Sequence, residues 1–190
     1  MRRLNKIWGL TGLISLTIAL MTISICWYLN PWFDFWRDAF SDFGVPKAHY
    51  PWVYKYGLMT SAVFLSIYSL FVLRASKGRL ESFASGLLFT ASLFLALIGV
   101  FPGGTGPHTF VSMWFFVQTF LGLAILGVAL FVRGYFGGLV VTLLAGSAPM
   151  LALLVDATVG WPSAAVAESA GITIIGVSLL IITLHYLREK

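Results

Sequence analysis

Charged residues are scarce in this chain. Asp, Glu, Lys and Arg make up 10% of its 190 residues, whereas a soluble domain carries about 25%. A chain with so few charges cannot cover a water-facing surface, so lipid must surround most of it. The net charge of +5 would suggest a nucleic acid partner in a soluble protein, but a membrane explains it better. We therefore expect membrane lipid as a partner and no nucleic acid.

Cysteine and histidine are also few. The chain has one cysteine, Cys26, which excludes a disulfide within it. The three histidines form no H-x-x-x-H pair, so the ligand patterns of structural zinc sites are missing. A metal site in this chain would have to depend on carboxylates and a single histidine.

Long apolar runs, in contrast, are abundant, and 59% of the residues are hydrophobic. About 20 residues are needed to span a bilayer, and six runs are long enough. The first follows "MRRLNK" but is too long for a signal-peptide core, so it is predicted to be retained. The fold class is therefore all-α, a polytopic bundle of six transmembrane helices in one domain over 1–190, with spans at about 8–29, 52–73, 82–101, 109–132, 138–158 and 165–187.

The basic residues predict the orientation. If the N-terminus is inside, nine of the twelve lysines and arginines lie in cytoplasmic segments and three lie outside. Such a bias is typical of cytoplasmic loops. We expect a multi-pass protein of the cell membrane with both termini in the cytoplasm.

Six of the seven prolines lie on the predicted outer side, so irregular backbone is concentrated there. The longest outer segment, "NPWFDFWRDAFSDFGVPKAHYPW", has aromatic residues at three- and four-residue spacing and aspartates every four residues. This pattern predicts a short amphipathic helix lying in the outer interface. Gly44 would end this helix, and Pro46 would prevent its continuation.

Four ionisable side chains are predicted at one level near the outer ends of the spans. Asp42 ends the interfacial helix, and His108 opens helix four after the loop "PGGTGP". Asp156 closes helix five, and Glu168 lies about one turn inside helix six. Ionisable residues within a span are candidates for a functional site, because an unpaired charge in lipid is costly.

The residues leave four interpretations of this group open. The four side chains could pair with one another and with loop amides, and so only fix the packing of helix ends. Asp42, His108 and Glu168 could instead bind zinc or another divalent metal. The glycines of the loop could present backbone amides to an anionic head group or small ligand. The fourth interpretation is a proton or ion path, although helix six is almost wholly apolar between Glu168 and His185.

Helix four has a polar stripe. His108, Ser112 and Thr119 fall on one of its faces, which predicts that this face turns towards other helices. The hydroxyl groups of Ser112 and Thr119 are expected to bond back to carbonyls of their own helix.

Four short blocks, "AFSDFGVP" (39–46), "PWVYKYGLM" (51–59), "GVFPGGTGPHTF" (99–110) and "AVAESAGI" (165–172), resemble the domain of unknown function 998 (DUF998) family. The family consists of small archaeal and bacterial membrane proteins with a similar number of spans. The resemblance covers nearly the whole chain and implies no established activity. Its pattern carries over onto the following residues: Ser41, Asp42, Gly44, Gly99, Phe101, Pro102, His108 and Glu168.

These observations predict an integral membrane protein with an outward-facing polar pocket that binds a lipid head group, a small ligand or a metal ion. The candidate residues are Ser41, Asp42, His108, Asp156 and Glu168. If the protein is an enzyme, we expect hydrolysis at the lipid interface, with Glu168 or Asp42 as base or metal ligand and His108 as ligand or acid. The alternative is a non-catalytic structural or accessory subunit, which would bind other membrane subunits or associate with itself.

Overall fold

The computed structural model describes residues 7–188, which form six long helices and one short one. All six long helices are apolar enough to cross a membrane, so the six-span prediction is confirmed. The predicted boundaries agree with the observed ones to within about one turn. The helices are α1 (Thr11–Leu29), α2 (Pro51–Ala75), α3 (Arg79–Val100), α4 (His108–Val132), α5 (Phe136–Thr158) and α6 (Ala164–Arg188).

Local sequence explains where several helices begin. Pro51 occupies the first position of α2, where its missing N–H costs nothing. Ser163 precedes α6, and its Oγ accepts a hydrogen bond from the Val166 amide at 3.1 Å. A serine in this position satisfies one of the free amides of a helix start. It therefore fixes the beginning of the helix that carries Glu168.

Consecutive helices pack against one another, and α6 contacts α5, α4 and α1. The bundle has two unlike ends. The "loop-rich end" carries the connections 30–50, 101–107 and 159–163, and the "basic end" carries the short connections 76–78 and 133–135. Residues 1–6 and 189–190, on which the prediction for the termini depends, lie outside the described residues.

The segment 30–50, here called the "first connection", differs from its prediction. The prediction of an amphipathic helix in this segment is wrong. Residues 31–39 form turns, and a five-residue 3-10 helix follows at Phe40–Gly44. Asp38 Oδ2 accepts a hydrogen bond from the Asp34 amide at 2.7 Å, and Asp34 Oδ1 accepts one from the Trp36 amide at 2.9 Å. Side-chain bonds of this kind stabilise turns in competition with a helix. Asp34 and Asp38 are therefore turn residues, whereas Asp42 lies on the 3-10 helix.

Three phenylalanines of the first connection point into the bundle, whereas Trp32 and Trp36 remain exposed. Phe33, Phe40 and Phe43 are all buried, and Phe43 is fully inaccessible. The rings of Phe33 and Phe43 lie 4.5 Å apart. The first connection thus closes the loop-rich end with a plug of aromatic side chains, and Gly44 ends its 3-10 helix as predicted.

Candidate functional site

A cavity of about 90 Å³ lies inside the bundle beneath the first connection. Phe40 closes it at the loop-rich end, and the other lining residues come from α1, α2, α3, α4 and α6. Most of the lining is aliphatic or aromatic. The polar side chains in it are Ser15, Tyr54, Ser61, Ser112, Thr119 and Glu168.

Most of these hydroxyl groups are already hydrogen-bonded within the protein. Ser15 and Ser61 pair across α1 and α2 at 2.9 Å. Thr119 donates to the Phe115 carbonyl at 2.7 Å, and Ser112 donates to the Thr109 carbonyl at 3.2 Å. The prediction that Ser112 and Thr119 bond back to their own helix is confirmed. Their face of α4 lines the cavity, so it also turns inward as predicted.

Glu168 is the carboxylate of the cavity. Its Oε2 accepts a hydrogen bond from the Phe40 amide at 3.0 Å, which joins α6 to the first connection. Two further bonds hold the same elements together: the Ala165 amide donates to the Asp38 carbonyl at 3.1 Å, and Ser163 Oγ donates to the Phe35 carbonyl at 2.7 Å. Within residues 7–188, Glu168 Oε1 has no hydrogen bond and no ion pair.

Asp42 lies on the same short helix as Phe40. Its Oδ2 accepts a hydrogen bond from the Ala39 amide at 3.0 Å. Asp42 and Glu168 therefore accept bonds from consecutive amides, those of Ala39 and Phe40. The structure brings these two predicted site residues together, but Asp42 is outside the lining of the cavity.

Ser41 connects the first connection to the glycine loop 101–107. Its side chain is buried, and its carbonyl accepts a hydrogen bond from the Gly103 amide at 3.3 Å. Gly44 also packs closely against this loop, because a Cβ added at Gly44 would stand 2.7 Å from Cβ of Pro102. The amides of Gly103 and Thr105 donate to carbonyls, so neither can bind an anion in this arrangement.

His108 closes the glycine loop on itself. Its Nδ1 lies 2.8 Å from the Phe101 carbonyl, which joins the two ends of the loop. No hydrogen bond or ion pair in the described part of the chain joins His108 to Asp42 or Glu168. Nor does this part contain a group of three or more His, Cys, Asp or Glu side chains that could hold a metal ion. Asp42, His108 and Glu168 are thus not assembled as metal ligands.

Asp156 lies apart from the other candidates. It is exposed near the end of α5, and it makes no hydrogen bond or ion pair within residues 7–188. Beyond Ala148, the residues of α5 are exposed or half-buried on every side. This half of α5 contributes nothing to the cavity.

Sequence reasoning missed two residues that build the site. Tyr54 is 4% exposed and lines the cavity near Glu168. Tyr54 lies in the block "PWVYKYGLM", whose resemblance to the family could have identified it. Asn30 is fully buried and ties both ends of the first connection together: its Oδ1 accepts a bond from the His49 amide at 2.7 Å, and its Nδ2 donates to the Cys26 carbonyl at 2.8 Å.

A second buried carboxylate lies at the basic end. Glu81 is 1% exposed, forms an ion pair with Arg133 and accepts a hydrogen bond from the Lys77 amide. The partners come from the two short connections of that end. No sequence pattern links Glu81 to Arg133, because they begin α3 and follow α4.

The chain matches a family model described as "Protein of unknown function (DUF998)" over residues 13–185. No curated protein and no solved structure matches it. The matched range includes all or most of each of the six helices and the residues of the cavity. The chain is therefore a membrane protein that belongs to the DUF998 family of proteins of unknown function.

Proposed function

We propose that this protein binds an amphiphilic molecule, whose apolar chain occupies the cavity and whose polar head lies beside Glu168. The observation that carries the proposal is the asymmetry of the lining. Glu168 and Tyr54 lie at the loop-rich end, and the deeper polar groups are Ser15, Ser61 and Thr119, whose hydroxyl groups are already bonded. An apolar cavity with a carboxylate and a phenol at one end matches the two parts of an amphiphile.

The apolar lining also favours binding of an apolar chain. An apolar chain would restore the contacts that the lining residues lack. Binding would therefore stabilise the folded protein.

The geometry favours binding over hydrolysis. A hydrolytic site needs a nucleophile or water held by a base that a further group orients. His108 is instead bonded to the Phe101 carbonyl, and Glu168 is bonded to the Phe40 amide. The polar groups of this end position the first connection, and one oxygen of Glu168 has no hydrogen bond within residues 7–188.

The proposal includes a place and an orientation. We propose that the protein lies in the cell membrane with both termini in the cytoplasm, so that the loop-rich end faces outward. The nine-to-three distribution of basic residues supports this orientation. With Thr105→Cys, an impermeant thiol reagent should label intact cells, whereas Ser76→Cys should react after permeabilisation. The native Cys26 is buried and should not react with the reagent. The reverse labelling pattern would overturn the proposed orientation.

The binding proposal is tested by mass spectrometry of lipids extracted from protein purified in native membrane discs. Wild type should retain a near-stoichiometric single-chain molecule. Ala19→Phe places a ring in the cavity and should abolish retention. Ala157→Phe, the same change at an exposed position of α5, should leave retention unchanged. Equal retention by all three proteins would contradict the proposal.

A second candidate function is that of an accessory subunit. It is favoured by a groove of about 310 Å³ between α2 and α3, formed partly by the small residues Ala62, Ser66 and Ala96. Small residues allow close approach of another transmembrane helix. A photocrosslinker at Val63, on the exposed edge of the groove, should then join a partner helix, and Ala96→Trp should prevent it. Crosslinks to lipid alone would contradict this function.

A further inference from the structure

The polar end of the cavity restricts the kind of head group that it can take. Glu168 Oε1 has an open acceptor position, and a carboxylate accepts hydrogen bonds without donating any when ionised. Tyr54 adds a phenolic hydroxyl, which likewise has no hydrogen bond within the described residues. Both groups can receive a hydrogen bond from a ligand.

The charge in the lining of the cavity is that of Glu168. The described residues that line the cavity include no lysine, arginine or histidine. Two lysines of the first connection and α2 lie against aromatic rings: Lys47 Nζ is over the Trp32 ring at 5.2 Å, and Lys55 Nζ is over the Tyr56 ring at 5.7 Å. Asp42 adds a second carboxylate nearby, bonded to the same turn as Glu168. A negatively charged head would meet like charge without compensation.

The volume of the cavity restricts the chain. At about 90 Å³, the cavity is smaller than the roughly 150 Å³ of an engineered cavity that holds benzene. It has room for a short unbranched chain and excludes paired acyl chains or fused rings.

Resting on the proposed function, we infer that the ligand is a single-chain amphiphile whose head donates hydrogen bonds and carries no negative charge, as a primary amine or a hydroxyl does. The head binds Glu168 Oε1 and the hydroxyl of Tyr54, and the chain extends between α1, α2, α4 and α6. Fatty acids and phosphate-bearing lipids are excluded by the carboxylate.

The experiment compares three photoreactive probes of equal and short chain length, pentylamine, pentanol and pentanoate, each with a diazirine in the chain. The protein is held at neutral pH in discs of zwitterionic lipid, and labelled peptides are mapped. Labelling of the cavity peptides is divided by labelling of the exposed half of α5, which corrects for partitioning. In wild type, the amine and the alcohol should each exceed the carboxylate by about tenfold or more, since juxtaposed like charges weaken binding at least that much.

Two carboxylate variants supply matched controls. Glu168→Gln retains an acceptor oxygen but removes the charge, so the amine and the carboxylate should then label to within about twofold of each other. Asp156→Asn removes an exposed charge from the same end of the bundle and should leave the wild-type preference intact. Size-exclusion chromatography checks the folding of each variant, and the wild-type series decides the question even if one variant unfolds.

The outcomes separate the two proposals. Equal labelling of the cavity by all three wild-type probes, or preference for the carboxylate, overturns the inference about the head group but leaves chain binding in place. Cavity labelling that Ala19→Phe does not reduce overturns the proposed function itself, and so does the absence of cavity labelling by every probe.

Discussion

Glu81 at the basic end and Glu168 at the loop-rich end are both carboxylates drawn into the bundle, but different groups face them. Glu81 is 1% exposed and is matched by the Arg133 guanidinium and the Lys77 amide. Glu168 accepts a hydrogen bond from one backbone amide, that of Phe40, and lines the cavity. Among residues 7–188, Glu81 has an ion-pair partner, whereas Glu168 has none.

The difference indicates how each end is held together. At the basic end, an ion pair joins the start of α3 to the connection after α4. At the loop-rich end, backbone hydrogen bonds and close packing hold the first connection against α6 and the glycine loop. A residue whose polar atoms are all matched stabilises the fold, whereas one with an unfilled acceptor is available to a ligand.

The largest effect should follow from Glu81→Gln. Breaking a buried ion pair removes the carboxylate that Arg133 contacts and should cost about 3 kcal/mol, at the lower end for such pairs because this guanidinium keeps some access to water. Glu168→Gln should cost about 1 kcal/mol, since the amide oxygen can still accept from Phe40. Equilibrium unfolding in detergent measures both, and equal costs would erase the distinction between the two carboxylates.

Coupling energies sharpen the comparison. In a double-mutant cycle, Glu81→Gln and Arg133→Gln should show a coupling on the order of 2 kcal/mol, because the two side chains form one ion pair. Glu168→Gln and His108→Ala should be additive to within about 0.5 kcal/mol, because they share no bond. Strong coupling between Glu168 and His108 would mean that the two act as one site.

A packing variant tests how the loop-rich end is held. Gly44→Ala places a Cβ 2.7 Å from Cβ of Pro102, a stiff ring that cannot turn aside. Overpacking of this kind should cost about 1–3 kcal/mol and lower the unfolding midpoint. Gly106→Ala, in open space on the glycine loop that carries Pro102, is the control and should change little. Similar midpoints for the two variants would argue against close packing as the main contact.

The smallest effect should come from Asp156→Asn. The side chain is exposed and unbonded within residues 7–188, so unfolding should change by less than about 0.5 kcal/mol. Chain retention should also be unaffected. A clear loss of stability or of chain retention would indicate that Asp156 belongs to the functional site.

Sequence predicts the spans well, because hydropathy over about 20 residues reflects the thickness of the bilayer directly. Glu168 could also be found, since a carboxylate within a span is unusual. The structure of the first connection could not be predicted, because the four-residue spacing of Asp34 and Asp38 fits a helix and a series of turns equally well. The cavity was also hidden, because it arises where side chains of five helices fail to fill their shared space.

A high-resolution experimental structure in a lipid disc tests the central claim most directly, by showing what occupies the cavity beside Glu168. The account predicts continuous density for one chain between α1 and α6, ending at a head group about 3 Å from Glu168 Oε1. A cavity that is empty, or a Glu168 side chain paired with His108 or with a metal ion, would contradict it.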